Sequence, residues 1–191
     1  ARLFFQELFH SGITADMREV LDLAEKTKKE THGFFDIQKP DGTLDPSGIV
    51  KGWAITNAAN ILLHCGCENF YIEAGGDIQT HGMAEGGAEW SVGIKNPFTA
   101  GEIVKLIYPR GHGVATSGSY ERGNHIYNPL NHTDKLEDIV SITVVGPNVL
   151  EADRFATAAF AMGTEGVNFI ESLPGFEAYS IDTAGIATMT S

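Results

Sequence analysis

Residues 150–163 read LEADRFATAAFAMG, a nearly unbroken run of small and apolar side chains that a helix can accommodate only by burying them. A few polar residues interrupt it. Asp153 and Thr157 stand four apart, which on a helix puts a carboxylate and a hydroxyl one turn apart on the same face. A buried carboxylate without a partner is costly, so the stretch needs an explanation for both groups. Taken alone, it reads as a capped helix, with Asp153 capping the start and Thr157 returning its hydroxyl to the preceding turn. The rarer alternative is a metal site.

At 191 residues the chain is long enough for one full core, and a single domain over residues 1–191 is expected. A formal charge of −12 argues against nucleic-acid or anionic-membrane partners, since both would be repelled. A phosphate-bearing ligand would need a metal ion, a placed cation or a helix N-terminus. Cys65 and Cys67 are too few for a disulfide scaffold, and their spacing falls short of a structural zinc motif. No run is apolar enough to span a bilayer, and ARLFFQELFH lacks the parts of a signal peptide. The cytoplasm is the expectation if the chain is complete as it stands.

Along the chain, TADMREVLDLAEKTKKETHG reads as a surface helix with Met17, Val20, Leu21 and Ala24 inward, Thr14 as cap and Gly33 as stop. After a loop rich in Asp, Gly and Pro, GIVKGWAITNAANILLHCG reads as a core helix burying Val50, Trp53, Ala54, Ala58, Ile61, Leu62 and Cys65. Short strand-like segments follow: NFYIEAGGDIQTHG, EWSVGIKN, EIVKLIYP, HGVATSGS and DIVSITVVG. The Asp153 helix comes next, then a short helix in TEGVNFIESLPG and a hairpin around Thr183-Ala184-Gly185. This order predicts an α+β fold, a mostly antiparallel sheet packed with helices.

Four glycine-containing clusters carry candidate chemistry. In DPSGIVKG a tight turn bares backbone groups at a helix start, with Asp45 before it and Lys51 in the first turn; caps and a ligand site explain these equally. In EAGGDIQ the paired glycines make a bulge or admit a ligand to the backbone, and Asp77 alone decides nothing. ATSGSYER is rich in hydroxyls, and His125 in NHIYNP is a candidate base or ligand.

Taken in order, these clusters resemble the ApbE family of FAD:protein FMN transferases. THGFFD is similar to the family's T-x-G-x-F-D, LDPSGIVKGWA to D-L-G-G-I-A-K-G-Y-A, and EADRFATAAFAMG to A-D-x-x-A-T-A; EAGGDIQTHG, WSVGIKNP, VATSGSYER and HIYNP fall between. The resemblance implies an ApbE-type, T-fold-like domain. It implies an enzyme that moves FMN from FAD onto a Thr or Ser hydroxyl of an acceptor protein, through a phosphoester, and releases AMP. It further implies magnesium held by Asp153, Thr157 and the Gly48 carbonyl. FAD contacts are implied at Phe34, Phe35, Asp36, Asp45, Lys51 and Ile126, and a general base at His125. Asn128 stands where many relatives have Asp, and Ser47 and Val50 where the motif has Gly and Ala. Two narrower readings stay open on the same residues: an FAD-binding protein without transfer, and a metal-dependent FAD pyrophosphatase. Relatives of this kind are often exported or membrane-anchored in bacteria.

Overall fold

In a computed structural model, which describes residues 12–119, 129–130 and 138–191, the first elements are α1 (Ala15–Glu30) and α2 (Ser47–His64). Strands β1 (Phe70–Ala74), β2 (Asp77–His81), β3 (Val92–Lys95), β4 (Ile103–Ile107), β5 (Gly113–Gly118) and β6 (Ile139–Gly146) follow. They lead to α3 (Val149–Ala161), α4 (Glu165–Glu171) and the closing strands β7 (Glu177–Asp182) and β8 (Ala187–Met189). Six strands form an antiparallel sheet in the order β1-β2-β5-β6-β7-β8, and β3 pairs with β4 as a separate ribbon. This is the expected α+β layout.

The small-residue helix is the hub. Ala152, Ala156, Ala158 and Ala159 are fully buried on α3, and the first, second and fourth of them share one core cluster with Ala115, Ile142 and Val144 of the sheet. Alanine lets helix and strand approach closely, and each fully buried Ile or Val contributes about 1.5–3 kcal/mol. The N-cap of α3 is Asn148, whose side chain accepts the Glu151 amide at 3.0 Å. Asp153 therefore caps nothing. It sits in the second turn of the helix, 4% exposed.

Thr14 caps α1 by accepting the Met17 amide, and Gly33, at φ 89°, closes it by donating to the Lys28 carbonyl at 2.8 Å. Val20, Leu21 and Ala24 pack with Phe35, Ile37, Ile49 and Ala158, whereas Met17 is exposed. On α2 the fully buried residues are Ile49, Gly52, Ile55 and Ala59, while Val50 and Trp53 of the expected face are partly buried against the same cluster as α1 and Ala54 is exposed. Ile61 and Cys65 are exposed. A count of apolar side chains missed Gly52, which turns inward because α3 crosses there.

NFYIEAGGDIQTHG is two strands. Ala74 pairs with Asp77, and Gly75 (φ 58°) and Gly76 (φ 89°) form the two-residue turn between them. Positive φ at both central positions matches the twist of a hairpin and favours glycine, so the pair makes a turn rather than a bulge. The turn delivers Asp77 to the start of β2. On the sheet face away from α3, Val92 and Ile94 meet Ile78, Val114 and Thr143 around a cavity of about 230 Å³. Among the described residues, no helix is long and apolar enough to cross a membrane.

Candidate functional site

The first half of α2 lies across α3, and the two helices meet at residues four apart on each. Asp153 Oδ2 accepts the Gly52 amide at 2.8 Å, and Thr157 Oγ1 lies 3.3 Å from the Gly48 carbonyl oxygen. Both α2 positions are glycine for a steric reason. A Cβ on Gly48 would stand 2.9 Å from Thr157 Cγ2, and one on Gly52 would stand 2.8 Å from Asp153 Cβ. The turn before α2 is set by Asp45, whose Oδ1 accepts the Ser47 amide at 3.1 Å, and by Pro46, whose carbonyl accepts the Ile49 and Val50 amides.

Lys51 extends from the same turn of α2 to β2. Its Nζ is 2.7 Å from Oδ2 of Asp77, a fully buried carboxylate whose Oδ1 accepts the Thr116 amide of β5 at 3.2 Å. The ammonium meets Oδ2 as an ion pair rather than along a well-directed hydrogen bond, and among the described residues that oxygen has no hydrogen-bond partner. Burial pushes the Asp77 carboxyl up despite Lys51. Burial, followed by the charge of Asp77, pushes Asp153 up to about 8, against the pull of Lys51 and the Gly52 amide. Two buried carboxyl groups thus share one ammonium, and the pocket favours a further positive charge.

The donors suit a small hard cation. Carboxylate, hydroxyl and backbone carbonyl are all oxygen ligands, which magnesium prefers, and it commonly takes few protein ligands while keeping positions for water and phosphate. Among the described residues, no group of three or more His, Cys, Asp or Glu side chains is placed to hold a metal. The set at Gly48, Asp153 and Thr157 brings a single carboxylate of its own.

Phe35 closes one side of this set, with Cε2 3.2 Å from the point a Gly48 Cβ would occupy. Phe34 is half-buried beside it in the chain, and Asp36 pairs with Lys28 at 2.5 Å. Asp45 pairs with Lys39 at 2.7 Å. His125 and Ile126 lie outside the described residues. Of the sequence-derived candidates, Gly48, Phe35, Lys51, Asp153 and Thr157 come together, while Asp36 and Asp45 bind local partners.

Lys39 first, then Ser47, holds the Asp45 carboxyl down at about 2. Its folded pKa is below the unfolded value, so the contribution is complete above about pH 4 and is lost as pH falls towards 2. Asp45→Asn is expected to cost under about 1 kcal/mol near neutrality, because the pair is partly exposed. Denaturant titrations should separate variant from wild type at about pH 7 and superimpose them at about pH 2.

Comparison with known proteins decides the family. The model of the ApbE family matches residues 38–180. The chain belongs to the ApbE family. Among its ApbE relatives, the FAD:protein FMN transferase of Salmonella typhimurium is 29% identical over 163 residues, 81% of this chain and 47% of that protein. That of Vibrio cholerae is 33% identical over 135 residues, 66% and 40% of the two chains. This ApbE chain spans about half the length of the curated relatives it matches. The fold is that of the flavin transferase ApbE from Vibrio cholerae, with TM-score 0.81 at 22% identity over 94% of this chain and 76% of that one. The ApbE protein of Thermotoga maritima gives 0.83 at 21%, covering 94% and 77%.

Asp77 is the site residue that sequence reasoning left undecided. Its signal was present in AGGD, where a hairpin turn fixes the residue that follows it, but Lys51 as its partner emerges only from the contact of α2 with β2.

Proposed function

We propose that this chain transfers FMN from FAD to a Thr or Ser hydroxyl of an acceptor protein, in a magnesium-dependent reaction that releases AMP. The observation that carries the reading is the convergence of Asp153, Thr157 and the Gly48 carbonyl beside the Lys51–Asp77 pair, in a member of a family whose relatives are named FAD:protein FMN transferases.

In this reading Gly48, Asp153 and Thr157 hold the metal. When bound, it supplies Lewis-acid stabilisation of the charge that builds on the pyrophosphate oxygens. Lys51, paired with Asp77, adds a fixed cation at the same turn of α2, where the protein's overall field would repel phosphate. Phe34, Phe35 and Asp36, with Asp45 and Ile126, contribute the walls and polar contacts for FAD. His125 accepts the proton of the acceptor hydroxyl as its oxygen attacks the FMN phosphorus and the bond to the AMP phosphate oxygen breaks. Orientation supplies much of the rate, because the hydroxyl must approach in line with the leaving AMP.

Incubation with FAD and magnesium, with and without an acceptor peptide, tests the reading. AMP together with peptide-bound flavin is expected only when the acceptor is present. AMP with free FMN, independent of acceptor, would make the chain a pyrophosphatase, and FAD binding without any AMP would make it a binding protein.

A further inference from the structure

The residue after Asp153 is a buried cation with three partners. Arg154 is 2% exposed; Nη1 donates to Thr27 Oγ1 at 3.1 Å and pairs with Glu30, and Nη2 pairs with Glu151. Its guanidinium carbon lies 4.0 Å from the centre of the Phe155 ring. Thr27 and Glu30 belong to the last turn of α1, so Arg154 ties that turn to the helix that carries Asp153 and Thr157.

The same turn of α1 suspends the segment that ends at Asp36. Thr31 Oγ1 donates to the Thr27 carbonyl at 2.8 Å and accepts the Phe35 amide at 3.1 Å, while the Phe34 amide donates to the Thr31 carbonyl at 3.0 Å. Lys28 holds Asp36. Phe35, fixed in this way, abuts Gly48. We propose that Arg154 is a positioning residue: it sets where the Phe34–Asp36 wall stands over the Gly48–Thr157 oxygens, and through that wall it governs FAD binding. The second part rests on the function proposed above.

Three features support a positioning role. A planar guanidinium reaches two carboxylates and a hydroxyl in one fixed orientation, which a lysine cannot reproduce. Both carboxylates of the cluster are partly exposed, so the pairs add little net stability and the consequence of the buried guanidinium is geometric. The two helices also respond unequally. Ten of the thirteen residues of α3 are buried, and Asn148 caps it independently, whereas α1 buries one face. Loosening the tie therefore moves the α1 end and leaves the metal donors in place.

The test is Arg154→Lys, read by amide hydrogen exchange of the metal-free protein and by steady-state kinetics. The amides of residues 33–35 are expected to exchange at least about tenfold faster while those of α3 keep their protection. The KM for FAD is expected to rise about tenfold at unchanged kcat, with the magnesium requirement shifted less than about twofold, the pattern of lost uniform binding. Unchanged exchange at 33–35, or equal loss across α3, overturns the positioning role. Faster exchange with unchanged KM, or with a fall in kcat alone, overturns its link to FAD. If wild-type protein does not use FAD, the proposed function fails while the exchange result still decides the positioning. If the lysine variant does not fold, Glu30→Gln removes one arm of the tie and is expected to shift both readouts in the same direction by a smaller factor.

Discussion

Asp153→Asn is expected to remove at least about a thousandfold of the proposed metal-dependent turnover while leaving the fold intact, because loss of a metal's charge stabilisation is worth several kcal/mol. The two halves of this expectation have separate causes. Without a metal, burial and Asp77 already favour the protonated form of Asp153, so a neutral amide resembles what the folded chain holds near neutral pH. The amide oxygen can still accept the Gly52 N–H. Only the ability to become a carboxylate under a cation is lost. Circular dichroism and thermal unfolding should therefore match wild type while AMP formation disappears. If turnover keeps its magnesium dependence in this variant, the proposed metal site is wrong.

Gly52→Ala should be the more damaging change to the fold. Its Cβ would stand 2.8 Å from Asp153 Cβ and 2.9 Å from both the Leu150 Cα and the Val149 carbonyl oxygen. Two of those neighbours are backbone atoms of α3, so the clash cannot be relieved by a rotamer change; the helices must separate. Overpacking of this kind costs about 2–3 kcal/mol, near the upper part of its usual range. For a chain of this size that corresponds to a fall of roughly 5–10 °C in melting temperature. Separation also stretches the bond from the Gly52 amide to Asp153 and parts Thr157 from the Gly48 carbonyl, so the proposed metal-dependent activity is expected to fall further than stability alone requires. A variant with wild-type melting temperature would show that α2 and α3 do not meet as closely as described.

Much of this arrangement was legible in the sequence, for identifiable reasons. The periodicity of α1, the caps Thr14 and Gly33, the short strands and the closing hairpin are local features, and local chemistry sets them. The most buried line of α2 was only partly legible, with Val50 and Trp53 at its margin, because burial there is decided by contact with α3, where a glycine matters more than a large apolar residue. The paired glycines at 75 and 76 could be read as bulge or turn until strand pairing fixed them. Asp153 looked like a cap because capping is the common use of Asp near a helix start. Asn148, a better cap five residues earlier, frees Asp153 to face α2. The Lys51–Asp77 and Arg154–Glu30 pairs join residues far apart in the chain, and no spacing rule reaches them.

The most direct test of the central claim is the mass of the acceptor itself. A peptide bearing a candidate Thr or Ser site is incubated with the protein, FAD and magnesium, beside the same peptide with that residue changed to Ala. The hydroxyl peptide should gain one FMN, in step with the AMP released, and the Ala peptide should gain none. AMP and free FMN accumulating while the hydroxyl peptide keeps its original mass would contradict transfer.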